Sequence, residues 1–327
     1  MRIGRRQTKP GEPAAAQYGA VESAGAWRLS DRIGLAICWF LGLLFCAIAA
    51  AIVLYMLVQG IKYVRPDLLT TSPKVGFTQG ETGGFLDPLI GTFLVGAIGI
   101  AIALPLGIAI AVWLSEFGRP FALARVVEST VEMIAGTPSI VLALFGTVIF
   151  SSTALAFLSR TSGSVVFGRS FFAAGFMLSL VALPLVVSAT REGLQAIPQH
   201  VREASYAVGK TKAATTRRIL LPAARPSVAT GAVLGFGRII GDTAIIVVLL
   251  GATQNFEKTG SIWPFNYLQG AGSTLTNYVY YNAPTGEGNQ PQKAYAAAFV
   301  LMVLVLFLNA AVDVVHRRSR KAGSWNS

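Results

Sequence analysis

Two opposite charges, Arg238 and Asp242, lie four residues apart inside an apolar run that begins near Val228. On a helix this spacing places both side chains on one face, where they can pair directly. Ten residues beyond Val228, Arg238 would lie about 15 Å along the helix, near the middle of a hydrocarbon core about 30 Å thick. Because a charge is costly at that depth, we expect both side chains to face the interior of a helix bundle or a water-filled path.

The chemistry of this pair has two interpretations. A guanidinium group presents a planar fork of donors that suits phosphate-like oxyanions, so Arg238 could contact an anion in transit while Asp242 keeps it oriented. Alternatively, the pair is structural and holds its helix to neighbouring helices, since buried ion pairs are weak evidence for any particular role. The sequence leaves both interpretations open.

Composition places the charge pair in a membrane protein. Of 327 residues, 53% are hydrophobic and only 13% are charged, and the charges cluster between apolar runs. This distribution indicates an all-α integral membrane protein that crosses the lipid bilayer several times. The net charge of +12 therefore serves mainly to orient the chain in the membrane and does not indicate a nucleic-acid partner.

Six apolar runs are each long enough to cross a bilayer. We expect spans at 33–58, 89–114, 133–158, 171–190, 228–250 and 295–315. They form a transmembrane domain over residues 30–318, between a disordered polar tail at 1–29 and a short tail at 319–327. The fifth run contains two GxxxG spacings, at 231/235 and 237/241, which allow helices to approach closely.

The distribution of Lys and Arg predicts the orientation of these spans. With six spans, both termini lie on one side, and that side carries nineteen basic residues, whereas the opposite loops carry seven. By the positive-inside rule, both termini and the loop at 191–226 are cytoplasmic, and the long loop at 252–294 faces outward. The expected location is the cell membrane, with multiple passes.

The cytoplasmic loop has the local signals of two short helices. Pro198 suits the first turn of a helix, Gly209 can end it, and Thr211 can cap a second helix. Residues 204–211 also fit a loose phosphate-loop pattern, but a predicted helix precedes them and only one glycine is present, which argues against that site. Membrane spans within a few residues on both sides likewise argue against a DNA-reading helix-turn-helix.

The spacing within this loop resembles the EAA loop of permeases from ATP-binding-cassette (ABC) importers. That pattern is Glu-Ala-Ala, three residues, Gly, nine residues and Ile-x-Leu-Pro. The resemblance implies that the loop couples the chain to a cytoplasmic ATPase, which would bind the ATP, so no cofactor is expected on this chain. The implied coupling residues are Glu203, Ala204, Ser205, Gly209, Ile219, Leu221 and Pro222.

Two further segments resemble the phosphate permeases of this family. The run from Gly237 to Ala244 is similar to the signature R-x-x-G-[ED]-T-[AM], with Asp242 where Glu is more usual, and Gly136 to Val141 is similar to the segment G-x-P-S-I-V. The resemblance implies the type I ABC-importer permease fold and phosphate as substrate. Its implied partners are a second permease subunit, a cytoplasmic ATPase dimer and an extracytoplasmic phosphate-binding protein.

Three other classes of protein compete with a phosphate permease of an ABC importer. A permease for another oxyanion, such as molybdate or sulfate, is the nearest. An autonomous channel or secondary transporter would use Arg238 and Asp242 as its ion path, but the EAA-like spacing and the lack of inverted repeats count against it. A membrane enzyme is disfavoured because the only histidines are His200 and His316, and no nucleophile is paired with a base.

Overall fold

A computed structural model describes residues 29–73, 83–159, 168–251, 268–288 and 290–323 of the chain. Within these ranges the regular structure is helical, apart from one isolated antiparallel bridge between Pro73 and Gly83. The predicted N-terminal tail lies outside the described residues except for Leu29, whereas the predicted tail at 319–327 is helical as far as Gly323. The helices in chain order are α1 (Leu29–Tyr63), α2 (Pro66–Thr70), α3 (Leu86–Val112), α4 (Phe121–Gly136), α5 (Ser139–Phe150), α6 (Phe171–Gln195), α7 (Gln199–Ala207), α8 (Lys212–Thr215), α9 (Leu221–Ala223), α10 (Arg225–Gly241), α11 (Ala244–Leu250), α12 (Leu275–Asn282) and α13 (Pro291–Gly323).

Four of the described helices are long and apolar enough to cross a membrane. They are Leu29–Tyr63, Leu86–Phe117, Phe171–Gln195 and Pro291–Ala310. Two further helix pairs satisfy the same test only when each pair is counted together. Helices α4 and α5 are bent by 105°, and Lys212–Ala223 and α10 are bent by 67°. The described residues therefore contain four candidate spans, or up to six if each bent pair is one span.

The predicted third span, 133–158, is not one continuous helix. Helix α4 ends at Gly136, Thr137 and Pro138 are extended, and α5 begins at Ser139. Proline clashes sterically with a preceding residue in the helical conformation, which explains why the helix stops before Pro138. Beyond α5, residues 153–158 form a 3₁₀ helix.

The predicted fifth span, 228–250, is also interrupted. Helix α10 ends at Gly241, Asp242 adopts an extended conformation with φ −80° and ψ 121°, and α11 begins at Ala244. Non-helical backbone inside an apolar segment must be satisfied by protein groups or face a cavity. The interruption therefore marks Asp242 as a position with a specific structural task.

The predicted outward loop, 252–294, is partly helical. Residues 252–267 lie outside the described residues, whereas 275–282 form α12 and α13 begins at Pro291. Tyr278 of α12 is buried, with its ring centroid 5.9 Å from that of Phe85. The Asn277 side-chain amide donates a hydrogen bond of 2.7 Å to the Gly251 carbonyl. This part of the loop is thus packed, which its polar composition did not predict.

Helix α6 lies at the centre of the main core. It starts at Ser170, whose hydroxyl accepts a hydrogen bond of 3.1 Å from the Ala173 amide, and it packs against α3, α5, α10 and α11. The core between these helices is built from small and aliphatic side chains that are almost completely buried. They include Val95, Ala103, Ala143, Ala174, Leu178, Ala182, Val186, Ile239, Ile245 and Leu249.

The two GxxxG spacings have different environments. A methyl group added at Gly231 would lie 3.0 Å from Cβ of Ala189, so this glycine lets α10 approach α6 closely. Methyl groups added at Gly237 or Gly241 would meet nothing within 4 Å. Only the first spacing therefore serves packing within this chain.

Chain contacts divide the protein into two compact units. The first extends to Tyr55 and contains the N-terminal part of α1, in which the described side chains are exposed. The second starts at Met56 and contains all the other helices. Both parts of the candidate functional site belong to this second unit.

Candidate functional site

Helices α7 and α8 form a compact pair, residues 199–215, that we call the two-helix knob. Helix α7 follows Pro198, and Gly209 turns the chain with a φ of +78°. The Thr211 hydroxyl then caps α8 by accepting a hydrogen bond of 3.3 Å from the Ala214 amide. The predicted order of helix, glycine turn and capped helix is confirmed. A left-handed φ favours glycine because other residues place Cβ against the backbone there.

Ser205 holds the two helices of the knob together. It is buried, and its hydroxyl lies 2.8 Å from the Thr215 hydroxyl. Since Thr215 donates its own proton to the Thr211 carbonyl at 3.0 Å, Ser205 is the donor in the bond between them. In the EAA-like pattern Ser205 stands where the second alanine is usual, and the only requirement expected there is a small side chain. The structure adds a buried hydrogen bond that alanine could not make.

The outer surface of the knob combines an acid with apolar side chains. Glu203 and Ala204 are exposed, and so are Tyr206 and Val208, the latter 73% exposed. Glu203, Ala204 and Gly209 are the predicted coupling residues that lie exposed on this surface.

The remaining predicted coupling residues lie where the knob joins α10. Ile219, Leu221 and Pro222 are half-buried in the helical segment that continues from α8 into α9. Between them Leu220 is completely buried and packs with Leu194, at the end of α6. This segment therefore connects the knob to α10 and is itself anchored to α6.

Arg202 connects the knob to two other helices, and sequence reasoning missed it. Its guanidinium donates to the Glu116 carboxylate at 2.9 and 3.2 Å, and to the carbonyls of Leu194 and Ile197 at 2.8 and 2.7 Å. The signal that could have indicated this contact is a carboxylate, Glu116, close after an apolar run. Its partner lies 86 residues further along the chain, so spacing could not identify it.

The charge pair occupies the interruption between α10 and α11. Arg238 donates to Oδ2 of Asp242 at 3.1 Å, and Oδ1 of Asp242 accepts from the Ile245 amide at 3.1 Å. The predicted pairing is confirmed, and the shorter Asp242 carboxylate reaches Arg238. The predicted position in the middle of a continuous helix is wrong, because Arg238 lies in the last turn of α10.

This position suits both charges. The C-terminus of a helix carries partial negative charge and its N-terminus partial positive charge, so Arg238 is favoured at the end of α10 and Asp242 at the start of α11. The two side chains differ in exposure, at 45% for Arg238 and 2% for Asp242. Asp242 is buried against its two partners, whereas nearly half of the Arg238 side chain is exposed in this chain.

The knob and the charge pair stand at opposite ends of α10. This helix has 17 residues, so its ends are separated by about 24 Å along the axis. Within the described ranges, no three His, Cys, Asp or Glu side chains converge as they would around a metal ion. The arrangement is that of an exposed helix pair joined by α10 to a charged position.

The family of the protein follows from comparison with known proteins. Residues 103–321 match the family of binding-protein-dependent transport system inner membrane components. The chain belongs to this family, and with its several apolar helices it is a multi-pass membrane protein. The match includes the knob, the charge pair and the helices that hold them.

Within this family the chain is similar to PstA permeases. It is 32% identical to the phosphate transport system permease protein PstA 1 of Mycobacterium tuberculosis over 204 residues, which are 62% of this chain and 61% of the relative. It is 30% identical to PstC 2 of Mycobacterium bovis over 210 residues, or 60% of this chain and 63% of that protein. The matches thus span about three fifths of these relatives.

A solved structure supports the fold. A bacterial ABC transporter that imports the acidic polysaccharide alginate has a chain that superposes with a TM-score of 0.57. The superposition covers 88% of this chain and 99% of that one, at 18% sequence identity. At this identity the likeness concerns the fold alone, which is that of ABC-importer permeases.

The conformation of Gly209 leads to a prediction about the knob. We expect Gly209→Ala to destabilise the turn by about 1–2 kcal/mol, because its φ of +78° is unfavourable for a residue with Cβ. Amide hydrogen exchange over residues 205–215 of the purified protein measures this as faster local opening. Gly42→Ala is the matched control, since Gly42 is helical with open space around it. Equal exchange in the two variants would contradict the role of the turn.

Proposed function

We propose that the chain is a permease subunit of an ATP-driven importer that moves inorganic phosphate into the cell. The observation that carries this proposal is the two-helix knob, which stands between α6 and α10 and exposes Glu203, Tyr206 and Val208. The similarity to PstA and PstC proteins, whose names state phosphate transport, supports phosphate over molybdate or sulfate.

In this proposal the knob is the coupling element. A cytoplasmic ATPase holds the exposed surface around Glu203, and its movement reaches α10 through Leu221 and Pro222. Rigid-body transmission of this kind requires a stiff element, and the Ser205–Thr215 hydrogen bond, the Thr211 cap and the buried Leu220 stiffen the knob. A second permease subunit, an ATPase dimer and an extracytoplasmic phosphate-binding protein complete the importer.

The transport activity can be tested directly. The protein, co-purified with its partner subunits and placed in liposomes, should take up labelled phosphate only when ATP and the phosphate-binding protein are both present. Unlabelled phosphate should compete with labelled phosphate for uptake, whereas molybdate or sulfate at the same concentration should not. Uptake without ATP would instead support a channel or secondary transporter, and competition by molybdate or sulfate alone would overturn the choice of substrate.

We also propose that the chain crosses the membrane six times, with each bent helix pair forming one span, and that both termini and the knob are cytoplasmic. The basic residues support this orientation, as most of them lie on the side of the knob.

Labelling of single cysteines tests this topology. With Cys38 and Cys46 replaced by alanine, Lys210→Cys lies in the knob and Glu287→Cys lies on the opposite side, both at exposed positions. A membrane-impermeant maleimide added to intact cells should label only Glu287→Cys, and in inverted vesicles only Lys210→Cys. The reverse pattern would contradict the orientation, and labelling of both from one side would contradict the number of spans.

Arg238 is proposed to contact phosphate in transit while Asp242 orients it. The exposure of the Arg238 side chain, 45% in this chain, supports this role because it leaves room for a ligand beside the pair. A guanidinium fork binds an oxyanion with two parallel hydrogen bonds, which a lysine ammonium cannot reproduce.

Conservative variants separate the two interpretations of the pair. Arg238→Lys keeps the charge but loses the fork, so we expect phosphate uptake to fall about tenfold or more, the equivalent of one charge-assisted hydrogen bond. Asp242→Asn keeps an acceptor for the Ile245 amide but leaves Arg238 uncompensated, and should also slow uptake. Arg191→Lys, the same change in an ion pair with Glu128, is the control. Near-normal uptake in both test variants would leave only the structural role.

A further inference from the structure

The end of α3 is joined to both helices of the knob. Beyond α3 the chain forms a π-helical turn, Trp113–Phe117. Glu116 of this turn accepts two hydrogen bonds from Arg202 of α7. The neighbouring Phe117 ring lies 5.3 Å from the Lys212 ammonium of α8, within the range of a cation–π interaction. The knob therefore touches α3 through two adjacent residues, one for each of its helices.

Arg202 also joins the knob to α6. The Leu194 carbonyl lies in the last turn of α6, and the Ile197 carbonyl lies two residues beyond the end of that helix. Arg202 supplies donors to both of them and to Glu116 at once. One side chain of the knob thus holds the ends of two core helices.

The ion pair between Glu116 and Arg202 is more buried than the other ion pair between helices near the knob. The Glu116 side chain is only 5% exposed and that of Arg202 is 20% exposed. Removing one partner of a buried pair leaves the other charge without compensation, so such a pair is sensitive to single substitutions. The Arg191–Glu128 pair between α6 and α4 is much more open, at 32% and 41% exposure.

We propose that Glu116 and Arg202 form a clamp that makes α3 and α6 move together with the knob. The inference rests on the proposed function, because the knob moves only if an ATPase moves it. The movement then enters the membrane helices at three places: α3 through Glu116, α6 through its terminal carbonyls, and α10 through Pro222. Glu116 and Arg202 are positioning residues and touch no substrate.

Hydrogen exchange in the complex with the ATPase tests whether the clamp transmits movement. In the unmodified complex, a non-hydrolysable ATP analogue should change amide exchange both in the knob, 199–215, and at the end of α3, 110–117. In Glu116→Gln the change in the knob should remain, while the change at 110–117 should be lost. Glu128→Gln, which breaks the more open ion pair, should keep both changes. A response at 110–117 that persists in Glu116→Gln, or is absent from the unmodified complex, would overturn the clamp.

Transport measurements give an independent test. Phosphate moved per ATP hydrolysed should fall about three- to thirtyfold in Glu116→Gln and in Arg202→Gln, the range of coupling effects in comparable networks. The double variant should be no worse than Arg202→Gln alone, because Arg202→Gln already removes the contact with Glu116. Because lysine keeps the positive charge, Arg202→Lys should move more phosphate per ATP hydrolysed than Arg202→Gln. A purely structural pair would lower the amount of protein in the membrane but leave this ratio unchanged, and that result would overturn the inference.

The results also separate the clamp from the proposed function. A complex that responds to the ATP analogue at both places but moves no phosphate would overturn the choice of substrate and support the clamp. A normal transport ratio in Glu116→Gln would overturn the clamp and leave the importer function in place. If no ATPase associates with the chain, both proposals fall.

Discussion

Helix α3 is packed against α6 and α10 at positions where glycine leaves no room for a larger side chain. A methyl group at Gly99 would lie 2.7 Å from Ile239, one at Gly175 would lie 2.6 Å from Ile98, and one at Gly107 would lie 2.6 Å from Val186. In lipid, close packing replaces the hydrophobic effect as the source of helix association. These contacts fix the positions of α3, α6 and α10 relative to one another. They therefore also fix the positions of the helix ends to which the knob is attached.

Contacts between residues close in sequence hold the knob together. Contacts between residues far apart in sequence attach it to the membrane helices. Inside it, the Gly209 turn, the Thr211 cap and the Ser205–Thr215 hydrogen bond hold α7 against α8. Outside it, Arg202 reaches the ends of α3 and α6. A surface element with only the local contacts could rotate on its own. With both kinds of contact, the knob is joined to the ends of α3 and α6 as well as to α10.

Both charged contacts of the core lie at helix ends. Arg202 meets Glu116 where α3 gives way to a π-helical turn, and Arg238 meets Asp242 where α10 stops. Helix ends have unpaired backbone groups and partial charges, so they stabilise a side-chain charge that the middle of a helix would not. The break at Asp242 thus makes a charge pair tolerable in an apolar segment, and it leaves Arg238 open towards one side.

The sequence by itself determined what depends on short-range spacing and composition. This includes the membrane class, the EAA-like pattern, the order of α7, Gly209 and the capped α8, and the pairing of Arg238 with Asp242, since residues four apart on a helix are neighbours. Tertiary structure decided the breaks before Pro138 and at Asp242, the burial of α12 and the clamp between Glu116 and Arg202. Hydropathy sums over a window and does not register a break of two residues. Contacts between residues 86 positions apart form only when α3, α6 and α7 are packed together.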